Sequence, residues 1–136
     1  MFCHYYRPMH ATRSIFLLSA LFTVAGVMHF LAPASYAAIM PPWIPYQKEL
    51  VYLSGILEIA GGVGLLITSL RKYAAIGLIL LLIAVFPANV QMLINAISNG
   101  EPALRMAMLW LRLPLQPMLI VWIFRTAIAR PSRRVA

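Results

Sequence analysis

The stretch Leu50-Val-Tyr-Leu-Ser54-Gly55-Ile-Leu-Glu58-Ile-Ala-Gly61-Gly62-Val-Gly64-Leu-Leu-Ile-Thr68 decides the fold. It runs for 19 residues with one charged side chain, Glu58, and no proline. A helix needs roughly 20 apolar residues to cross a hydrocarbon core, while a barrel strand alternates over roughly ten. This run is continuous, so it reads as a membrane-spanning helix. Three more runs of the same kind lie around it, at residues 14–31, 73–97 and 106–124. Four spans nearly use up a chain of 136 residues. The expected fold class is therefore an all-α membrane protein, one domain over residues 1–136, with four helices packed as a single bundle.

Composition agrees with this reading. The chain is 62% hydrophobic and 10% charged, against about 45–50% and 25% in soluble domains. A soluble single-core globule, a disordered chain and a coiled coil are excluded on those grounds. The net charge of +8 is no nucleic-acid footprint, because the basic residues sit between and beyond the apolar runs instead of along one face. The two halves share no repeat, which argues against an inverted-repeat transporter. Cys3 is the single cysteine, so the chain holds no internal disulfide, CxxC pair or cysteine metal cluster. His4 has Cys3 beside it, but neither His4 nor His10 has a carboxylate near it in sequence, and no metal site is expected.

Pro87 falls inside the third run. From Tyr73 to Phe86 a helix would span only about 21 Å, short of a core of about 30 Å. The helix must continue through the proline, with the Ile83 carbonyl losing its partner and a neighbouring helix helping to satisfy the backbone. A kink is expected there.

Lysines and arginines set the orientation. Arg7 and Arg13 precede the first span, Arg71 and Lys72 join the second to the third, and Arg125, Arg130, Arg133 and Arg134 follow the fourth. An even number of spans puts all eight on one side, against Lys48, Arg105 and Arg112 at the other. The positive-inside rule makes the richer side cytoplasmic, with both termini on it. The start of the chain imitates a signal peptide, with Ala32-Pro33-Ala34 as a cleavage site. Its apolar run is longer than a usual h-region, and cleavage would leave an odd number of spans, so an uncleaved first span is expected. The expected location is a cell membrane of the bacterial inner-membrane type.

Polar residues at membrane depth are the functional candidates, since each is costly there. Glu58 lies about 12 Å below the outer boundary, with Ser54 and Gly62 on its face. The glycines of this helix allow close approach to neighbours. His29 sits about 22 Å and Asn89 about 24 Å from the cytoplasmic side. Arg112 lies about 9 Å below the outer end of the fourth span, with Gln116 a turn deeper on the same face. Each span thus contributes a polar group to the outer half. His29, Glu58, Asn89, Arg112 and Gln116 are the ligand-binding candidates; interhelical hydrogen bonding without a ligand is the competing account. Glu58 and Arg112 are expected to pair, directly or through Gln116 or water, because each alone would cost about 2.5–3.5 kcal/mol on insertion scales. If the fourth span instead began at Pro114, residues 101–113 would form an interfacial helix, Arg112 would snorkel, and His29 or Asn89 would be the partner of Glu58. The loop 32–49 carries Pro33, Pro41, Pro42, Pro45, Tyr36, Trp43 and Tyr46, which suit a stiff segment seated at headgroup level. The methionines Met28, Met92 and Met118 read as gap-fillers, and the basic tail as an orientation signal that touches anionic lipid.

The pattern His29-Phe30-x-x-Pro33-x-x-Tyr36, then Pro42-x-Ile44-Pro45, then Ser54-Gly55-x-x-Glu58 with Gly62-x-Gly64-Leu65, then Phe86-Pro87-Ala88-Asn89, resembles the DoxX-like membrane proteins. Arg112-Leu-Pro114-Leu-Gln116 fits the same picture, so the resemblance runs from about His29 to Gln116. It implies a four-helix membrane bundle and an association with thiosulfate–quinone oxidoreduction, maturation of periplasmic redox enzymes or membrane oxidoreductase complexes. The expected function is an accessory or quinone-interacting component of a redox pathway; the cofactor stays open, with quinone a candidate, and the partners are membrane lipids together with either a quinone or a membrane or periplasmic redox protein. Nucleic acid is not expected, and oligomeric state stays open, as does whether any reaction is catalysed. A purely structural subunit is the alternative, with a small proton-coupled exporter using Glu58 behind it. Small multidrug exporters carry such a glutamate in their first span, not the second.

Overall fold

The computed structural model describes residues 9–129. Of the residues singled out above, Cys3, His4, Arg7, Arg130, Arg133 and Arg134 lie outside that range, and so does the side chain of His10. The described chain is all-helical. It comprises α1 (Met9–Leu31), α2 (Pro33–Ala37), α3 (Gln47–Leu66), α4 (Arg71–Ser98), α5 (Ala103–Ile123) and a π-helical turn at Phe124–Ile128. Four segments are long and apolar enough to cross a membrane: Thr12–Leu31, Gln47–Leu66, Arg71–Ser98 and Ala103–Ile128.

The observed helices begin two to three residues before the apolar runs at 50, 73 and 106. Gln47, Lys48, Glu49, Arg71 and Lys72 are good or tolerable helix formers, so the polar first turns stay helical although hydropathy counts them out. Within the connection 32–49, Pro33 opens the short helix α2, at a first-turn position where its missing N–H costs nothing.

Helix α4 runs unbroken through Pro87. Beside the proline, Gln116 of α5 donates from Nε2 to the Leu82 carbonyl, not to the Ile83 carbonyl that is expected to need a partner. That carbonyl is one residue before Ile83, the acceptor that Pro87 deprives of its N–H. Helix α5 likewise continues through Pro114 and Pro117. The helix of the fourth apolar run therefore begins well before Pro114, and residues 103–113 are part of it, not a separate helix.

Helix α3 is the centre of the packing, with α1 on one side and α4 on the other; α5 packs on α4. The α1–α3 crossing is close because glycines face it. A Cβ on Gly55 would stand 2.8 Å from the His29 Cβ and 2.9 Å from the Gly26 carbonyl oxygen. One on Gly62 would stand 2.9 Å from the Ser19 carbonyl oxygen. Helices without a hydrophobic drive between them associate through such small-residue contacts.

Beside the apolar core, several polar side chains are buried while large apolar ones face outward. Ser19, His29, Ser54, Glu58 and Gln116 are inside, while Phe16, Leu17, Leu80, Ile83, Met118 and Val121 face outward. This is the distribution expected when the surrounding solvent is hydrocarbon. The main apolar cluster gathers Ile15, Leu18, Phe22, Leu65, Ala75, Leu78, Leu82 and Ile123 near the α3–α4 turn. A smaller one, Leu93, Ala96 and Leu109, joins α4 to α5 at the opposite end. Between the two clusters apolar packing thins, and the polar site lies there.

Candidate functional site

All five candidate residues, His29, Glu58, Asn89, Arg112 and Gln116, line one cavity of about 330 Å³. Each of the four long helices contributes to its wall, and α2 adds Tyr36.

Glu58 is the deepest acidic group, 8% exposed, and His29 is 9% exposed. They face each other across the α1–α3 crossing, with His29 Nδ1 3.5 Å from Glu58 Oε2. Gly55, one turn before Glu58, permits this approach by leaving room for the His29 Cβ. The same Nδ1 lies 2.9 Å from the Ala25 carbonyl oxygen, which accepts its proton in the tautomer that carries one there. The imidazole is stacked on Tyr36, with ring centroids 4.0 Å apart and planes at 24°. His29 is thus fixed from three directions.

Glu58 is not. Its Oε2 is buried and has no hydrogen-bond partner. Ser54, on the same face, is no help, because its hydroxyl donates back to the Val51 carbonyl at 2.8 Å. A buried oxygen in this state is costly as a charged group, and a proton, the His29 imidazole or a donor from outside the chain would relieve it.

Glu58 and Arg112 line the same cavity without touching directly. Among the described residues, the carboxyl has His29 within 4.0 Å and not Arg112. Arg112 borders the same cavity but stands exposed at its edge. The depth argument placed the two at similar heights, and both border one cavity, Glu58 in its wall and Arg112 at its exposed rim. His29, the alternative partner, meets Glu58 even though α5 does pass through Pro114.

Asn89 and Gln116 form a second polar unit across α4 and α5. Asn89 Nδ2 donates to Gln116 Oε1 at 2.7 Å, and the Gln116 amide donates to the Leu82 carbonyl. Gln116 is 4% exposed. Its amide is used on both sides, so this pair behaves as packing glue beside the cavity, with one Asn89 N–H left for other use.

Two contributions were not singled out in the sequence. In the sequence Tyr36 reads as an interfacial aromatic of the loop, and its place in the motif with His29, seven residues earlier, is the signal that could have found it. Arg71 was read as an orientation charge. Instead its guanidinium is 7% exposed and folds onto the end of α3, with Nε donating to the Leu65 carbonyl at 2.6 Å and Nη2 to the Leu66 carbonyl at 3.3 Å. A basic residue just past a helix C-terminus is the signal that could have found it. Among the described residues, no three His, Cys, Asp or Glu side chains gather as a metal site would require.

A family model described as "Domain of unknown function (DUF8561)" matches residues 18–127, a range that contains every residue of this cavity. No curated protein and no solved structure matches the chain.

Proposed function

The chain belongs to the DUF8561 family, whose description carries no activity, and we propose from the geometry that it is a membrane protein whose cavity binds the head group of a quinone-type molecule. One observation carries this: the Glu58 carboxyl lines the cavity, and its Oε2, 3.5 Å from His29 Nδ1, has no hydrogen-bond partner. A quinol offers hydroxyl donors that this carboxyl can accept. A quinone offers carbonyls to which the guanidinium of Arg112 and the remaining amide hydrogen of Asn89 can donate. The cavity volume of about 330 Å³ exceeds the ~150 Å³ that holds a benzene ring, so a substituted ring fits. Glu58 beside His29 is also a pairing able to pass protons as such a head group changes oxidation state. The resemblance to DoxX-like proteins supports placing this binding in a redox pathway, as an accessory component of a membrane or periplasmic redox protein.

A purely structural role is the second reading, and the Asn89–Gln116–Leu82 bonds favour it, since they satisfy one another. They do not account for Glu58. A cation exporter is disfavoured by the guanidinium of Arg112 on the same cavity.

The full proposal is a four-helix bundle in a bacterial inner membrane, termini cytoplasmic, with the cavity in the outer half. The basic residues support it. Reporter fusions after Thr68 and at Ala136 should give cytoplasmic signals, and one near Pro42 an outer signal. An outer C-terminus would overturn the orientation.

Binding is tested by titrating a short-chain ubiquinone into the detergent-solubilised protein and following the fluorescence of its three tryptophans. Quenching should saturate. Glu58→Leu should weaken binding by about tenfold or more, the effect of losing a hydrogen bond to a carboxyl worth roughly 1.5–3 kcal/mol. Quenching that never saturates, or that is the same in the variant, would count against the reading.

A further inference from the structure

We propose that the cavity opens sideways, between α1 and α5, and admits a membrane-dissolved amphiphile whose tail stays in that gap. The inference rests on the head-group reading of the site and adds the route and the class of ligand.

The mouth is located by burial. Of the residues lining the cavity, three are exposed, and all three belong to α1 or α5: Leu21, Arg112 and Leu115. Every lining residue from α2, α3, α4 and the following loop is buried or half-buried. The packing agrees. Helix α1 is held by α3 and α5 by α4, yet α1 and α5 hardly touch. At the far end the π-helical turn reaches α1, and Phe22 and Leu82 of the main apolar cluster close the floor. At the near end Tyr36, Ile39 and Met40 form a roof. That roof is tied down: Gln47 Nε2 donates to the carbonyl of Pro41 at 3.1 Å, and the Pro41 ring is buried. The remaining open wall is the α1–α5 gap, bordered by two leucines and by apolar helix surface on both sides.

Ligand class follows from this. A water-soluble solute would meet an apolar mouth at hydrocarbon depth. A molecule already dissolved in the bilayer meets a mouth matched to it, with Arg112 at the edge to engage an acceptor and Glu58 inside to engage a donor. The cavity, at about 330 Å³, holds a ring-sized head group and leaves a long tail outside, where the gap can receive it.

The test uses the full chain in liposomes, with Cys3→Ser removing the native thiol and Ser54→Cys placing one on the cavity wall. Two reagents compete: N-dodecylmaleimide, dissolved in the lipid, and a sulfonated maleimide confined to water. The lipid-borne reagent should label the new thiol and the sulfonated one should not. Adding Leu115→Trp, or Leu21→Trp from the opposite lip, should slow the lipid-borne reaction about tenfold or more. Leu80→Trp, on the exposed surface of α4 and not among the lining residues, should leave it unchanged and reports on folding. Faster labelling from water, no labelling from lipid, or rates indifferent to both mouth substitutions would overturn the proposal. Short-chain ubiquinone added to the same samples separates the two readings. Lipid-side labelling that ubiquinone does not slow keeps the lateral mouth and removes the quinone head group. Water-side labelling that ubiquinone does slow keeps the head group and removes the mouth.

Discussion

Gly55→Val should prevent α1 and α3 from docking and abolish the site with them. A Cβ at this position would lie 2.8 Å from the His29 Cβ, 2.9 Å from the Gly26 carbonyl oxygen and 2.9 Å from Phe30 Cε2. Two of those obstacles are a backbone atom and a β-carbon, which cannot swing aside as the end of a flexible side chain can. Overpacking of this sort costs about 1–3 kcal/mol, and occasionally more. Here the only relief is to move α1 as a whole, which carries His29 away from Glu58. Unfolding by a denaturing detergent, followed by helix content, should show a loss at the upper end of that range. Gly77→Ala is the matched control. Its Cβ would meet nothing within 4 Å, and alanine gains up to about 1 kcal/mol of helix propensity, so that variant should be neutral or stabilised. Equal behaviour of the two variants would mean that the α1–α3 crossing is not a close glycine contact.

Arg71→Leu should destabilise the protein about as strongly, for a different reason. Helix α3 ends at Leu66, and the last carbonyls of a helix have no partner within it. Arg71 supplies donors to two of them, on Leu65 and Leu66, while its positive charge complements the negative end of the helix. Losing charge-assisted hydrogen bonds of this kind should cost about 2–3 kcal/mol. Arg71→Lys should recover only part, because an ammonium is a point donor and cannot fork across two carbonyls. Lys72→Leu, at an exposed neighbour, should stay within about 0.5 kcal/mol. If Arg71 were only an orientation charge, the two positions would behave alike in the same unfolding measurement.

These residues also mark what could be read from the chain alone. Depth was legible, because the rise per residue converts position in an apolar run directly into height. The same arithmetic put Glu58, His29, Asn89, Arg112 and Gln116 near one level, and they line one cavity. Azimuth was not legible. A helix turns about 100° per residue, and its absolute rotation is fixed by contacts with other helices, such as Gly55 against His29. Glu58 therefore met the imidazole of α1 and not the guanidinium of α5, although both stood at a suitable height. Helix ends were blurred where charged first turns, at Lys48 and Lys72, stay helical. The continuation through Pro87 was legible from length, because 14 residues cannot cross the core. Which neighbour would donate to the backbone beside the proline was not, since Gln116 is far away in sequence and only packing brings it to Leu82. Helix α2 has five residues, too few for any periodic signal.

The central claim is that the unpartnered Glu58 oxygen belongs to a ligand site. Extraction of the full chain from its membrane in a mild detergent, followed by mass spectrometry of the molecules that copurify, tests it most directly when wild type and Glu58→Leu are compared at equal folded yield. The account predicts a quinone at near-stoichiometric amount with the wild type and its loss from the variant. A wild type carrying only bulk phospholipid, or equal quinone in both preparations, would contradict it.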